Sequence, residues 1–375
     1  MKPAYCLLLT VLFAAGCAPT PPHRTDAAKG PEAAKAAVQE LKLRDYAPKS
    51  IFKIPETRVL KARFPVIDAH SHDYAATDAE IRTWVATLDS VGVERANLMH
   101  CNWIGRPFEE VVAKYAPYKD KFSFWCCFDY TDFGKPGWAE RSVARLEECR
   151  RLGAVGVGVG ELVDKGLGDV YASPASGEGI HMDDPQMKPL LERCGELGMP
   201  VSIHIAEPIW MYEPLDASND GLMNGANWAV DTSAEGCRGY EELIAAFERT
   251  VAAYPRTTFI ACHYLNMNQD LGRLGALLDK YPNLYVDLAG RMGESAVTPR
   301  ATRRFLLKYA DRVLYGTDNG MDKAMYRMTF RLLETDDEHI YCPDYGYHWA
   351  YSGFDLPDDV LKKIYHDNAA RLLHQ

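Results

Sequence analysis

Phe64-Pro-Val-Ile-Asp-Ala-His-Ser-His-Asp73 is an apolar run that stops at two histidines, His70 and His72, spaced two residues apart. In a β-strand successive side chains point to opposite faces, so both imidazoles project to one side and can reach one point in space. Neutral imidazole is the commonest metal ligand, and two of them at the end of a buried strand suit a divalent cation. The same pair could instead cap the strand with ordinary hydrogen bonds, and so short a motif does not decide the matter alone. The metal reading gains from polar residues at the ends of later strands.

Outward from this strand, apolar runs alternate with segments of helical period. The strand candidates are Val66–His70, Ala96–His100, Phe122–Phe128, Val155–Glu161, Val201–Ile205, Phe259–His263, Leu284–Leu288 and Val313–Thr317. Helical patterns fall at Ala79–Val91, Ala139–Leu152, Gln186–Leu197, Tyr240–Ala253, Leu271–Lys280 and Pro299–Tyr309. Such alternation predicts a parallel sheet with crossover helices, and eight units make an α/β fold of the (β/α)₈ TIM-barrel type. A doubly wound open sheet competes, but no Gly-x-Gly-x-x-Gly turn follows the first strand. Active sites in such barrels sit at the C-terminal ends of the strands. The first strand ends in His70 and His72, the fourth in Glu161, the fifth in His204, the sixth in His263 and the eighth in Asp318. Any one of these could be a satisfied core polar residue. Together they place six ligand-bearing side chains at one mouth.

The strand-end motifs are Asp68-Ala-His-Ser-His72, Pro200-Val-Ser-Ile-His204, Ile260-Ala-Cys-His263 and Leu314-Tyr-Gly-Thr-Asp318. With the closing Ile364-Tyr-His-Asp-Asn-Ala-Ala-Arg-Leu-Leu373, they resemble the amidohydrolase superfamily. Within it, the chain is similar to the amidohydrolase-related branch that also contains mononuclear decarboxylases. The resemblance spans roughly Val66 to Leu373 and implies metal-dependent chemistry on a small substrate. It implies His70, His72, His204, His263 and Asp318 as ligands of one or two divalent ions, zinc first, with manganese or another divalent metal as the alternative. The departure is at strand four, where many binuclear members carry a bridging carboxylated lysine. This chain offers Glu161 there, with Lys165 four residues on. Glu161 either bridges two ions directly or pairs with Lys165 or Arg291.

A bound divalent cation makes water a nucleophile at neutral pH and polarises a carbonyl. Asp318 fits as the carboxylate that takes a proton from that water and returns it to the leaving group, or else it is a ligand only. His263 binds a second ion or orients the substrate. Arg291, after the seventh strand, could clamp a substrate carboxylate in two-pronged fashion or serve as an ion-pair partner. His100 and Trp103 after strand two, Glu207 and Trp210 after strand five, and His348 are further candidates for substrate contact. Two excursions, Ala206–Arg238 and Ile340–Phe354, are rich in Trp and Tyr. Loops of that length are usually lids or binding loops, and their aromatics suit a ring-shaped ligand such as an aromatic acid, lactone or sugar. The reading is thus a hydrolase of a C–O or C–N bond. A carboxy-lyase acting on an aromatic or unsaturated acid is the alternative, and a metal-stabilised binding protein without turnover is the second.

The N-terminal region reads differently. Met1-Lys2 precedes an apolar run, Leu7–Ala15, too short to span a bilayer, and Ala14-Ala15-Gly16-Cys17 resembles a bacterial lipobox. Residues 1–17 are therefore expected to be a lipoprotein-type signal peptide, with Cys17 lipidated and the chain exported; an ordinary secretory signal is the alternative. Residues 18–60, rich in Pro, Ala and Lys, read as a flexible tether with one short helix near Pro31–Arg44. Residues 61–375 are the barrel, whose final amphipathic helix, Asp358–Leu373, is expected on its outside. With 47% hydrophobic and 25% charged residues the composition is that of a globular protein with a sizeable core. The formal charge of −10 argues against a nucleic-acid partner, leaving a small molecule as partner and the lipid as the one membrane contact. A homodimer is neither required nor excluded. Of ten cysteines, those beyond Cys6 and Cys17 form no Cys-x-x-Cys pair, and their connectivity is not legible.

Overall fold

The computed structural model describes residues 31–99, 107–128, 130, 132–163, 166–168, 180–225, 229–233, 238–342, 345 and 348–374. Cys17, His100, Trp103, Lys165, Trp228 and Tyr347 lie outside them, as does the side chain of Glu161. The chain divides into two units, Met1–Ala47 and Pro48–Gln375. In the first, residues Pro31–Gln39 form a helix, and a single turn follows at Leu43–Asp45. Among the described residues no helix is long and apolar enough to cross a membrane.

In the second unit eight parallel strands follow one another around a sheet: β1 (Val66–His72), β2 (Val93–Met99), β3 (Phe122–Cys126), β4 (Ala154–Val163), β5 (Val201–Ile205), β6 (Phe259–Ala261), β7 (Leu284–Asp287) and β8 (Val313–Leu314). A short strand, Gly166–Gly168, folds back antiparallel on the end of β4. Backbone bonds from Ala69 N to Tyr315 O and from Asp318 N to His70 O, both 2.9 Å, draw the last strand to the first. The expected barrel is thereby nearly closed.

Strand alternation sorts the core into two shells. Phe259 and Ala261 of β6 belong to the large cluster between strands and helices, whereas Ile260 and the adjoining Cys262 join Ile67, Ala69, Met99, Trp125 and Leu314 in a smaller inner one. Trp125 fills much of that interior. A Cβ on Gly156 would stand 2.4 Å from the Trp125 ring, so glycine in the Val-Gly-Val-Gly run of β4 makes room for the indole. The helix Asp78–Val91 shows how the outer layer is set. Thr77 Oγ1 accepts from Glu80 N, Glu80 Oε2 accepts from Thr77 N, and Ile81, Trp84, Leu88 and Val91 line one buried face.

The C-terminal helix differs from expectation. It runs from Asp358–Lys362 through a π-helical turn, Lys363–Asp367, into Asn368–Leu373. Asn368 Nδ2 donates to Ala310 O and Val313 O at the start of β8, and Ile364 O accepts from Tyr315 N. Its Ala369 and Leu373 enter the inner cluster. Rather than covering only the outside, the helix plugs the seam between β8 and β1, where the shortness of β8 leaves apolar interior to cover.

Residues 48–60, expected from their composition to be tether, fall within the second unit. Thr57 donates to Asp337 through its backbone N (2.7 Å) and hydroxyl (2.8 Å), and Arg331 Nε reaches the same carboxylate at 2.6 Å. Burial alone would raise the Asp337 carboxyl, but these bonds outweigh it and hold it below its usual range. A depressed carboxylate contributes stability above its unfolded value of ~3.9, and that contribution is lost as pH falls through the folded value. Asp337→Ala is therefore expected to lower the unfolding free energy by about 3–5 kcal/mol at pH 7 in urea titrations. The gap to the native chain should narrow below about pH 4; a gap independent of pH would contradict an ionised Asp337.

Candidate active site

The site grows from the C-terminal ends of β1, β6 and β7 and from the residues after β8. Asp68, His70 and His72 alternate along β1. The buried Asp68 carboxylate accepts from His70 N (3.2 Å), Thr317 N (3.1 Å), Thr317 Oγ1 (2.6 Å) and Tyr326 OH (2.7 Å), locking the segment after β8 against β1. This lock fixes Asp318, which adopts a left-handed φ of 60°, and Tyr74 OH donates to the Asp318 carbonyl at 2.7 Å.

His70 Nδ1 donates to Asp287 Oδ2 at 2.8 Å. The other oxygen of Asp287 accepts from His263 N (2.8 Å) and Ala289 N (3.0 Å). His263 Nδ1 in turn donates to Ala289 O at 2.7 Å. With both Nδ1 atoms anchored, the Nε2 atoms of His70 and His263 are left for a ligand, the usual arrangement behind metal-bound histidine. Asp318 Oδ1 lies 3.0 Å from His72 Nε2 and 3.7 Å from His70 Nε2. Ligand atoms of His70, His263 and Asp318 all fall within 4.8 Å of one another. Neighbouring ligands around an ion bound at ~2.0–2.2 Å stand about 3.0–3.6 Å apart, so small adjustments let this set hold a divalent cation.

Charge follows the geometry. Burial would depress the His70 imidazole, but Asp287 raises it well above its ordinary value. Burial, with His204 and Arg291 nearby, holds His263 well below the usual imidazole range, so it is neutral and able to ligate. Burial opposes ionisation of Asp318, yet His70 and His72 keep its carboxyl well below the normal range. Asp287 is lowered in the same way by His70 and His263.

The turn after β6 is unusual. His263, Tyr264, Leu265 and Asn266 all have left-handed φ, at 59°, 54°, 56° and 48°, with no glycine among them. Each such residue costs roughly 1–2 kcal/mol, and the run persists because its surroundings clamp it. Tyr240 OH donates to Asn266 O at 2.9 Å, while Asn266 Nδ2 donates to Ile205 O and Ala206 O. Arg291 Nε donates to Asn266 Oδ1 at 2.8 Å, and its Nη2 lies 3.7 Å from Glu207 Oε2.

The structure thus brings together His70, His72, His263 and Asp318. His204 lies beside them, its ring 4.7 Å from that of His263, but its Nε2 is turned to Ala206 O at 2.7 Å. Glu161 pairs in backbone register with His204 on the neighbouring strand. A cavity of about 410 Å³ shares Asn266 and Arg291 with the surroundings of the site and is lined also by Trp210, Asn268, Glu294 and Trp349. Of the residues expected from the sequence to contact substrate, Trp210 and Arg291 line it; His348 does not, although its neighbour Trp349 does. Asp287, Asn266 and Tyr74 hydrogen-bond to the residues of the site and were not singled out from the sequence. Asp287 had a visible signal, since it ends its strand as the histidines end theirs; Asn266 and Tyr74 had none.

The family model described as Amidohydrolase matches residues 107–375. No curated protein matches the sequence. Among solved structures, an uncharacterised TIM-barrel protein from Bordetella bronchiseptica is similar at 20% identity and a TM-score of 0.53, covering 83% of this chain and 99% of its own. An amidohydrolase II structure is similar at 15% identity and a TM-score of 0.50, covering 83% of this chain and 100% of its own. A manganese complex of 5-carboxyvanillate decarboxylase from Novosphingobium aromaticivorans, at 15% identity, has a TM-score of 0.49 and covers 86% of this chain and 100% of its own.

Proposed function

Because the chain belongs to the amidohydrolase family, we propose that this metal-dependent enzyme hydrolyses a C–O or C–N bond in a small substrate such as a lactone, ester or amide. The observation that carries this is Asp318: a carboxylate 3.0 Å from His72 Nε2, side chain 34% exposed, at the open end of the barrel. It is held among imidazoles yet within reach of a bound molecule. His70, His72, His263 and Asp318 would hold the cation, with zinc suited to so many imidazoles. When bound, that cation supplies Lewis acidity, polarising a carbonyl and acidifying water.

The chain's own residues do the rest. An Asp318 carboxylate oxygen takes a proton from the attacking water as the carbonyl carbon gains its oxygen. The same proton then passes to the leaving oxygen or nitrogen as the scissile bond breaks, giving an acid and an alcohol or amine. The adjoining cavity, lined by Trp210, Asn266, Arg291 and Trp349, is where the substrate would sit.

The test uses the full-length, metal-replete protein, a panel of lactones, esters, amides and unsaturated acids, and ¹⁸O-labelled water. One labelled oxygen in the acid product, abolished by a chelator and restored by zinc or manganese, is the expected outcome. Carbon dioxide release with no label in the organic product would establish the carboxy-lyase instead, and substrates recovered intact would leave a binding protein.

A further inference from the structure

We infer that residues 48–61, the irregular strap by which the chain enters the second unit, lie on an anionic lipid bilayer, with Ile51, Phe52 and Ile54 among the headgroups and Lys49, Lys53, Arg58 and Lys61 against their phosphates. This contact is independent of the reaction, and it adds to the lipid expected at Cys17. Ile51 is 86% exposed and Phe52 58%, and Ile54 and Leu60 are exposed as well. Among the described residues of the second unit nine large apolar side chains are exposed, and these four fall within ten consecutive positions. Single exposed apolar residues are ordinary, but a run of them marks a surface that something covers.

The strap does not shed that surface onto the barrel, because its route is pinned. Thr57 holds Asp337 through its backbone N and hydroxyl, Leu60 O accepts from Arg327 Nε at 3.4 Å, and Ala62 N donates to Val91 O at 2.9 Å. Upstream, the Phe52 ring meets the His339 ring edge-on, with centroids 4.7 Å apart, and still stays more than half exposed.

Charge and chain order decide what covers it. Four exposed cations, Lys49, Lys53, Arg58 and Lys61, are interleaved with the apolar residues against one carboxylate, Glu56, in a chain whose formal charge is −10. Basic side chains have apolar stems that lie along an interface while the charged head reaches a phosphate, and mixed with exposed apolar residues they make the composition of a segment bound to anionic lipid. The rest of the chain, acidic overall, is repelled by the same lipid, which leaves the strap as the part suited to face it. Chain order selects the bilayer over a second copy of the chain. Cys17, in the lipobox-like Ala14–Cys17, precedes Pro48 by 31 residues. The stretch between continues the same mixture, with Val38, Leu41 and Tyr46 exposed in the first unit and Lys42 and Arg44 among them in sequence. A lipid at Cys17 would keep the strap at high effective concentration near the bilayer, so that a weak contact suffices.

The test is hydrogen–deuterium exchange on the full-length chain, free and with vesicles of phosphatidylcholine alone or with about one-third phosphatidylglycerol. Amides of residues 48–61 are expected to exchange at least about fivefold more slowly on the mixed vesicles than on phosphatidylcholine, and the difference should shrink at about 0.5 M salt. Lys49→Gln with Lys53→Gln, and Ile51→Ser with Phe52→Ser, should each abolish the difference. Their urea midpoints should match that of the native chain, because all four side chains are exposed. Equal or greater protection on phosphatidylcholine, protection on neither vesicle, or variants that keep the native difference would overturn the inference. Protection that rises with protein concentration in the absence of lipid would overturn it too, making the strap an interface between copies.

Discussion

Asp318→Asn is expected to lower kcat by about 10²–10⁴-fold while the protein keeps most of its metal. Asparagine has the size of aspartate and retains one oxygen to face His72 Nε2, now 3.0 Å from the carboxylate. The histidine donors remain, two of them fixed from behind by Asp287 and Ala289 O. What the amide cannot do is take a proton near neutral pH. The loss should therefore appear in kcat rather than KM, because the cavity walls that bind substrate are untouched. His70→Ala is the matched control and should strip the metal. Metal content by plasma mass spectrometry, measured beside steady-state kinetics, separates the outcomes. An Asp318→Asn enzyme that has lost its metal would make Asp318 a ligand and nothing more. One that keeps both metal and turnover would remove it from the chemistry.

Much of this barrel is written locally in the chain. Each strand announces itself by a short apolar run, and its polar terminus is where a barrel puts chemistry, so His70, His72, His263 and Asp318 are legible in the sequence. The features that are not legible depend on distant contacts or on strain. The partner of His70 is Asp287, 217 residues away, and no local pattern joins them. The turn at 263–266 lacks the glycine that normally marks left-handed backbone, because tertiary bonds from Tyr240 and to Ile205 and Ala206 impose it. His204 sits at the expected strand end, yet its ring nitrogen follows a backbone carbonyl two residues on. The C-terminal helix is amphipathic in sequence, but amphipathicity says that a face is buried and not against what.

Asp287 offers the sharpest test of whether those distant contacts matter to the chemistry or only to the fold. Its carboxylate, 1% exposed, receives three N–H groups: His70 Nδ1 on one oxygen, His263 N and Ala289 N on the other. Asparagine fills the same space but must aim its own N–H₂ at one of those sets, stranding buried donors at about 1–3 kcal/mol each. If the amide nitrogen faces His70, the imidazole loses the bond that fixes its tautomer and ring angle, and Nε2 no longer points reliably at Asp318. Outer partners of ligating histidines typically carry a 10–100-fold effect on metal affinity. Asp287→Asn is thus expected to weaken metal binding by about that factor in chelator competition, and to lower the urea midpoint of the metal-free protein. The two readouts discriminate because they need not move together. A fall in stability with unchanged metal affinity would make Asp287 a strut of the barrel. A fall in affinity that persists when stability is restored by an unrelated stabilising substitution would assign it to orienting His70.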